Sequence, residues 1–243
     1  MSKPPKIDRK DLRTPDEFVK KGTAIVDVLA HQRNWLLPVI GVVAIIGAAV
    51  AGWNWWDGKR LEKTWDAFEV AKKAAEPQRW DELKKIYETH PKNRGTLFAV
   101  AALGDHYFDL AKKNDGKDAN PDAAAAAATD ASAAADWYGK AVEFSGLSQM
   151  EKQLLTLNRG ESFELDKKYD QAIADYDKAA EMGGNLKALA LLERGRVLEL
   201  KGDAAKAKEA YEKVSADFFS SEYARMAKNN LRRMKSPVLN QKF

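Results

Sequence analysis

Residues 34–56 constrain the chain more than any other stretch, because they read NWLLPVIGVVAIIGAAVAGWNWW and contain no charged side chain. At about 1.5 Å per residue, an α-helix of this length spans roughly 34 Å, slightly more than the ~30 Å hydrocarbon core of a bilayer. A helix buried in a soluble core rarely runs past about 14 residues without a charge. The stretch therefore predicts a single transmembrane helix.

Tryptophans lie at both ends of this stretch, one near its start and three near its end. Indole rings prefer the membrane interface because they are apolar but carry one polar N–H group. We therefore expect membrane-interface anchors at Trp35, Trp53, Trp55 and Trp56.

A cleaved signal peptide is the alternative, because Ala49–Ala51 followed by Gly52 has the small residues of a cleavage site. The segment of 33 residues before the apolar run is, however, much longer than the charged region of a signal peptide. The apolar run also continues beyond Gly52. These features favour an uncleaved anchor, and cleavage between Ala51 and Gly52 stays open.

The segment before the anchor contains a capping box at Thr14 and Glu17, which begins a predicted short amphipathic helix. This helix lies either on the membrane surface or in solvent. The predicted organisation is a tail over 1–33, a transmembrane helix over 34–56, a helical repeat domain over 57–236 and a C-terminal tail over 237–243.

The chain has 40 Lys/Arg and 36 Asp/Glu residues, and the part after the anchor is nearly balanced in charge. This balance lacks the basic footprint of nucleic-acid-binding domains, so no nucleic-acid partner is expected. The absence of cysteine excludes disulfides and thiolate chemistry. Lys and Arg within 20 residues of the anchor slightly favour a cytoplasmic location for the large domain, but the tail as a whole holds eight of them and long domains translocate largely regardless of charge. Charge alone therefore does not fix the orientation.

After the anchor, no alternating β-branched run bounded by turn residues predicts a strand, and the pattern is helical almost to the end. Proline, glycine and capping residues divide it into helices joined by short turns. The predicted fold is therefore all-α, with antiparallel helix pairs. The predicted helices cover 59–76, 78–89, 96–113, 120–144, 148–166, 169–182, 186–201, 203–218 and 222–235.

An internal repeat aligns residues 158–180 with residues 193–215 at an offset of 35. A glycine in the first helix of each copy permits close helix contact, an alanine fills the crossing point, and a tyrosine wedges between neighbouring helices. The matched pairs are Gly160 and Gly195, Ala172 and Ala207, and Tyr176 and Tyr211.

A third copy is interrupted, because Gly104 and Tyr138 match the same positions but are separated by 18 surplus residues. The surplus lies mostly within 114–133 and includes the alanine run 123–128. Alanine is the best helix former, so we predict a longer turn and an N-terminal extension of the second helix.

The repeat resembles the tetratricopeptide repeat in its period and in its small and aromatic positions, which implies an α-solenoid. The whole arrangement resembles the YfgM-type ancillary subunits of the SecYEG translocon, through GWNWW at 52–56, YETHP at 87–91 and AALG at 101–104. This resemblance implies a single-pass protein of the bacterial inner membrane with a cytoplasmic N-terminus. It also implies periplasmic repeats that work with translocon and chaperone subunits.

Catalytic signals are weak, since no phosphate-binding, dinucleotide-binding or nucleophile-elbow motif occurs. His106 and Asp109 share a helix face, but a third metal ligand is not apparent. We therefore predict no enzyme activity, no catalytic residue, no metal site and no cofactor.

A partner groove is predicted along the first helices of the repeats. Lys and Asn are absent from the positions that clamp a free carboxylate in peptide-binding repeats, so a helix or an extended segment fits better. The alternative for the leucines is that they belong to the core between repeats. The predicted groove residues are Phe98, Asp105, Phe108, Leu157, Glu161, Glu164, Leu192, Arg196 and Glu199.

Two functions fit these features. The first is a membrane-tethered protein–protein interaction scaffold associated with the translocon and periplasmic chaperones. The alternative is a periplasmic coordinator of envelope assembly or cell division that self-associates through its repeats as a homo-oligomer.

Overall fold

A computed structural model describes the backbone of residues 33–115 and 121–235, with side chains from residue 41 onward. The chain divides into two compact units, residues 1–59 and 60–243. The predicted amphipathic helix that begins at Thr14 and the C-terminal tail 237–243 lie outside the described residues.

The described residues are helical and contain no strand, which confirms the all-α class for this part of the chain. Nine helices lie within these ranges. They are α1 Arg33–Lys73, α2 Gln78–Thr89, α3 Thr96–Asn114, α4 Pro121–Val142, α5 Gln149–Leu165, α6 Tyr169–Glu181, α7 Lys187–Leu200, α8 Ala204–Asp217 and α9 Glu222–Lys235.

Helix α1 joins two segments that the sequence analysis treats separately, the apolar stretch and the predicted helix 59–76. It runs from Arg33 to Lys73 without a break, because a single glycine such as Gly58 costs only about 1 kcal/mol in a helix. Its described residues in the first unit expose apolar side chains, including Val43 at 63% and Ile45 at 70%. Within the described ranges, no helix reaches both the length and the apolar character that a membrane span requires.

The second unit is a solenoid-like stack of helices. Its repeated part consists of three antiparallel pairs, α3 with α4, α5 with α6, and α7 with α8, followed by α9. Each of these helices packs against the next one in the sequence, and contacts also join α3 to α5 and α7 to α9. We call α3, α5 and α7 the A helices.

A glycine of each A helix lies against a buried tyrosine of the second helix in the same pair. A Cβ atom at the glycine would lie 2.7 Å from the ring of Tyr138, 2.9 Å from that of Tyr176 and 2.7 Å from that of Tyr211. The predicted wedge is therefore confirmed in all three copies. The three contacts are Gly104 with Tyr138, Gly160 with Tyr176, and Gly195 with Tyr211.

The surplus residues of the interrupted copy extend α4, as predicted. The helix begins at Pro121 and places Ala127 and Ala131 in the protein interior. Residues 116–120 lie outside the described ranges. Other local predictions are also confirmed, since Ser148 and Glu151 form a capping box at the start of α5 and Asp203 caps α8.

Residues 60–73 of α1 pack against α2 and α3 through a small apolar cluster that includes Ala71, Leu83 and Leu103. Thr64 is buried and meets Gly95, where a Cβ atom would lie 2.2 Å from the threonine Oγ1. Glycine is therefore required at this position for α1 to dock so closely.

Candidate functional site

The candidate site is a row of ionised side chains along the A helices and α9, and we call it the charged face. It contains five of the predicted groove residues and two further residues that the sequence analysis missed. Its members are Asp105, Glu161, Glu164, Glu193, Arg196, Glu199 and Arg233.

Three carboxylates of the charged face accept hydrogen bonds from the wedge tyrosines. The hydroxyl of Tyr138 donates to Asp105 at 2.6 Å. In the next two pairs, Tyr176 donates to Glu164 at 3.4 Å and Tyr211 donates to Glu199 at 3.2 Å. The same tyrosine that fixes the helix crossing therefore also positions an acidic group at the surface.

Arg196 bridges two A helices. Its guanidinium forms a bidentate pair with Glu164 of α5, with Nη2 donating to Oε2 at 2.5 Å, and its Nε donates to Glu193 at 2.6 Å. Burial alone would lower the pKa of Arg196, but the hydrogen bonds and charges of both glutamates outweigh burial and raise the pKa. Arg196 is therefore held charged and in one geometry.

Arg233 makes the same kind of bridge one step further along the stack. It extends from α9 and donates to Glu199 of α7 at 2.7 Å. Glu164 and Glu199 occupy equivalent repeat positions, 35 residues apart. In both cases, therefore, the glutamate at this repeat position pairs with an arginine that lies two helices further along the chain.

Glu161 differs from these paired carboxylates. It is partly buried, and burial together with the nearby charge of Glu193 raises its pKa, while Lys112 and Arg196 partly offset this effect. Within the described residues, no hydrogen bond or ion pair to its carboxylate is found within 4.0 Å. The centre of the charged face therefore holds acidic charge that intramolecular pairs do not satisfy.

Leu157 and Leu192 do not line a groove, which corrects the prediction for these two residues. Each is only 2% exposed and belongs to the core of the stack. They occupy equivalent repeat positions, and each faces the neighbouring helices instead of the solvent. The alternative considered from the sequence, that they are core residues between repeats, is the one observed.

The two predicted phenylalanines lie at the start of the stack. Phe98 is 46% exposed and contacts Trp65 edge-on, with ring centroids 5.2 Å apart, and Phe68 completes the cluster. Phe108 is partly buried, and the ammonium of Lys112 lies 5.1 Å from its ring centroid. Both residues contribute apolar surface near the charged face, but neither forms part of its ion pairs.

Three of the expected membrane-interface anchors are described. Trp53, Trp55 and Trp56 are exposed on α1, and the rings of Trp53 and Trp56 lie 5.7 Å apart. Trp35 lies in α1, but its side chain is outside the described residues.

Sequence reasoning missed Glu193, Arg233 and Trp65. Glu193 precedes Arg196 by three residues, a spacing that places two side chains on one helix face, so this pair was available from the sequence. The contacts of Arg233 and Trp65 bridge 34 and 33 residues and carry no local signal.

The site offers binding chemistry more readily than covalent chemistry. The ring of His106 stacks on that of Trp80 with the centroids 3.7 Å apart, and burial lowers the pKa of this imidazole. In the described part of the chain, no group of three or more histidine, aspartate or glutamate residues is arranged to hold a metal ion. The absence of enzyme activity stays a prediction.

Comparisons with protein-family models, with curated proteins and with solved structures find no match for this chain. Its resemblance to tetratricopeptide repeats and to YfgM-type translocon subunits therefore stays a prediction, and the site is interpreted from its own residues.

Proposed function

We propose that the protein is a scaffold for protein–protein interaction, tethered to a membrane by residues 34–56. The observation that carries this proposal is the charged face, where ionised side chains are fixed by bonds between successive helices yet remain partly exposed. Groups that are already ordered lose little entropy when a partner binds. Such a face is suited to recognition of another protein.

The unsatisfied acidic charge at Glu161 defines the chemistry of the partner. A lysine or arginine of the partner would pair with this carboxylate, and apolar side chains of the partner would cover Phe108. A helix or an extended segment with one basic residue among apolar ones meets both requirements.

The membrane tether is supported by the sequence of 34–56 and by the exposed apolar side chains of α1. Val43, Ile45 and Trp55 are each more than 60% exposed, and apolar surface in water costs about 25 cal/mol per Å². Insertion into a bilayer would remove this cost. Tethering would also raise the effective concentration of weakly bound partners at the membrane.

The resemblance to YfgM-type subunits supplies the remaining parts of the proposal. It favours the bacterial inner membrane, a cytoplasmic N-terminus, a periplasmic repeat domain, and translocon or chaperone subunits as partners. The second candidate is a self-associating coordinator of envelope assembly, which the exposed Trp65 and Phe98 favour because they leave an aromatic surface open to a second copy.

A site-specific photocrosslinker tests the scaffold. It is placed at Glu161 in the full chain, and at the exposed Lys213 of α8 as the matched control. We expect membrane-dependent crosslinks from Glu161 to translocon or chaperone subunits, and few from Lys213. Crosslinks only between copies of this chain would favour the coordinator, and equal, diffuse labelling from both positions would refute a specific face.

Fractionation tests the tether separately. The full chain is expected in the membrane fraction and resistant to extraction at high salt, whereas a chain without residues 34–56 is expected in the aqueous fraction. Protease protection of the repeat domain in spheroplasts then assigns the compartment. Recovery of the full chain in the aqueous fraction would refute the tether without bearing on the charged face.

A further inference from the structure

Helix α9 has two contrasting faces. Its inner face packs against the stack through Ala224 and Ala227, which are fully buried, and through Tyr223, Leu231 and Met234. Its outer face is exposed and carries a row of cations that we call the basic stripe. The basic stripe consists of Arg225, Lys228, Arg232 and Lys235.

The spacing of the basic stripe follows the turns of the helix. Its members are separated by three, four and three residues, so they lie on one face and extend over about 15 Å. Glu222 is the only acidic residue of α9, and it pairs with Arg225 at 2.9 Å. Among the described residues, no carboxylate lies within 4.0 Å of Lys228, Arg232 or Lys235.

The outer face of the neighbouring helix α8 shows what an ordinary solvated surface looks like in this protein. Its exposed face carries both lysines and glutamates, and Lys208 pairs with Glu212 at 3.7 Å. Mixed charge of this kind is sufficient for solubility. Solubility therefore does not explain why the side chains of the basic stripe are all positively charged.

The charge of the rest of the domain restricts the partner. Residues 57–221 contain 26 Lys/Arg and 30 Asp/Glu, whereas α9 contains five Lys/Arg and one Asp/Glu. An extended polyanion, such as a nucleic acid or an anionic bilayer, would cover more than this one helix face and would also contact the rest of the domain, where acidic side chains outnumber basic ones. A short acidic segment can contact the basic stripe alone.

We propose that the outer face of α9 binds an acidic helical segment of a partner protein, with carboxylates spaced about one per turn. Such a segment would place one carboxylate opposite each cation of the basic stripe, and its charge would steer association at low salt. The basic stripe is separate from the charged face and does not depend on the membrane tether, so its test is independent of the proposed function.

The test uses the full chain in micelles of a neutral detergent. The probe is a fluorescent 14-residue helical peptide with glutamates at positions 1, 4, 8 and 11, and its counterpart has glutamine at these positions. Binding is measured by fluorescence anisotropy over a range of salt concentrations. We expect tight, salt-sensitive binding of the glutamate peptide and little binding of the glutamine peptide.

Charge reversal identifies the surface. K228E/R232E is expected to weaken binding of the glutamate peptide by about tenfold or more, because two of four contacts become repulsive. The matched control K208E/K213E reverses two charges on the exposed face of α8 and is expected to change the affinity less than about twofold. A lysine version of the peptide should bind K228E/R232E better than the unmodified chain.

Several results would overturn the proposal. Equal binding of the glutamate and glutamine peptides, or equal loss of affinity in both variants, would show no role for the basic stripe. If phosphatidylglycerol in a phosphatidylcholine nanodisc holding the full chain abolished peptide binding, the stripe would be assigned to lipid headgroups. If sedimentation showed that K228E/R232E dissociates an oligomer of this chain, the occupant would be a second copy.

Discussion

Replacement of Gly195 by alanine tests the idea that close contact between glycine and tyrosine specifies the helix pairs. The new Cβ atom would lie 2.7 Å from Cε1 and 2.9 Å from Cδ1 of Tyr211. Ordinary van der Waals contact begins at 3.4 Å. The ring must therefore move by at least 0.7 Å, or the two helices must separate by a similar distance.

The ring of Tyr211 has little freedom to move. It is fully buried, and its hydroxyl is bonded to Glu199 at 3.2 Å. Overpacking of a well-packed interior costs about 1–3 kcal/mol, and the gain in helix propensity from glycine to alanine returns about 0.5–1 kcal/mol. We therefore expect Gly195→Ala to lower the free energy of unfolding by about 1–2 kcal/mol.

Thermal unfolding of the full chain, followed by circular dichroism in detergent, measures the effect. For a domain of this size, a loss of 1 kcal/mol lowers Tm by about 2–4 °C. The matched control is Gly139→Ala in α4, where the nearest atoms to a new Cβ belong to the Arg159 side chain and lie at ordinary van der Waals distances of 3.6 and 3.7 Å. This control gains helix propensity without a clash, so its Tm is expected to rise slightly.

The difference in Tm between the two variants tests whether the Gly195–Tyr211 contact specifies the helix crossing. If Gly195→Ala is as stable as Gly139→Ala, the tyrosine yields without cost and the contact does not specify the crossing. A further check is Gly195→Ala combined with Tyr211→Leu. Its destabilisation should be less than the sum of the two single effects, because the smaller side chain removes the clash.

Three further substitutions give distinct expected results. Burial and the charge of Glu193 raise the pKa of Glu161. The folded state therefore loses stability as the pH rises from the usual glutamate pKa through this raised pKa. Near neutral pH, Glu161→Gln should have a higher urea midpoint of unfolding than the native chain, and this difference should vanish below the usual glutamate pKa. Gln153 is buried and donates to the backbone carbonyls of Ala179 in α6 and of Gly183 just after this helix. Gln153→Leu should cost about 2 kcal/mol of unfolding free energy, whereas Gln171→Leu, at an exposed position, should cost almost nothing. Ser148→Ala removes the capping box of α5, and we expect Tm to fall by an amount equivalent to about 1 kcal/mol; an unchanged Tm would contradict this contribution.

Local sequence signals predicted the elements of the repeat domain well. The capping box at Ser148, the cap at Asp203 and the proline at the start of α4 each act within one turn of their own helix. Their effects therefore do not depend on which distant residues become neighbours. The exception is the boundary inside α1, where the change in composition after Trp56 suggested two segments although no residue there breaks a helix.

The internal repeat extended this local information to tertiary contacts. Because two copies share one spacing, a contact between Gly160 and Tyr176 predicts the contact between Gly195 and Tyr211. The same alignment predicts the contact between Gly104 and Tyr138, although an insertion separates these two residues. Each copy of a repeat packs its helices in the same way, so aligning the copies shows which residues make equivalent contacts.

The helical class, most helix boundaries and the glycine–tyrosine register were predictable from the sequence, because these features depend on local conformational preference and on repetition. The burial of Leu157 and Leu192 was found only in the folded structure, and so was the pairing of Arg196 and Arg233 with carboxylates on preceding A helices. Burial and long-range pairing depend on how far each helix rotates about its axis when it packs. That rotation depends on many contacts together, so it cannot be predicted from the identity of any single residue.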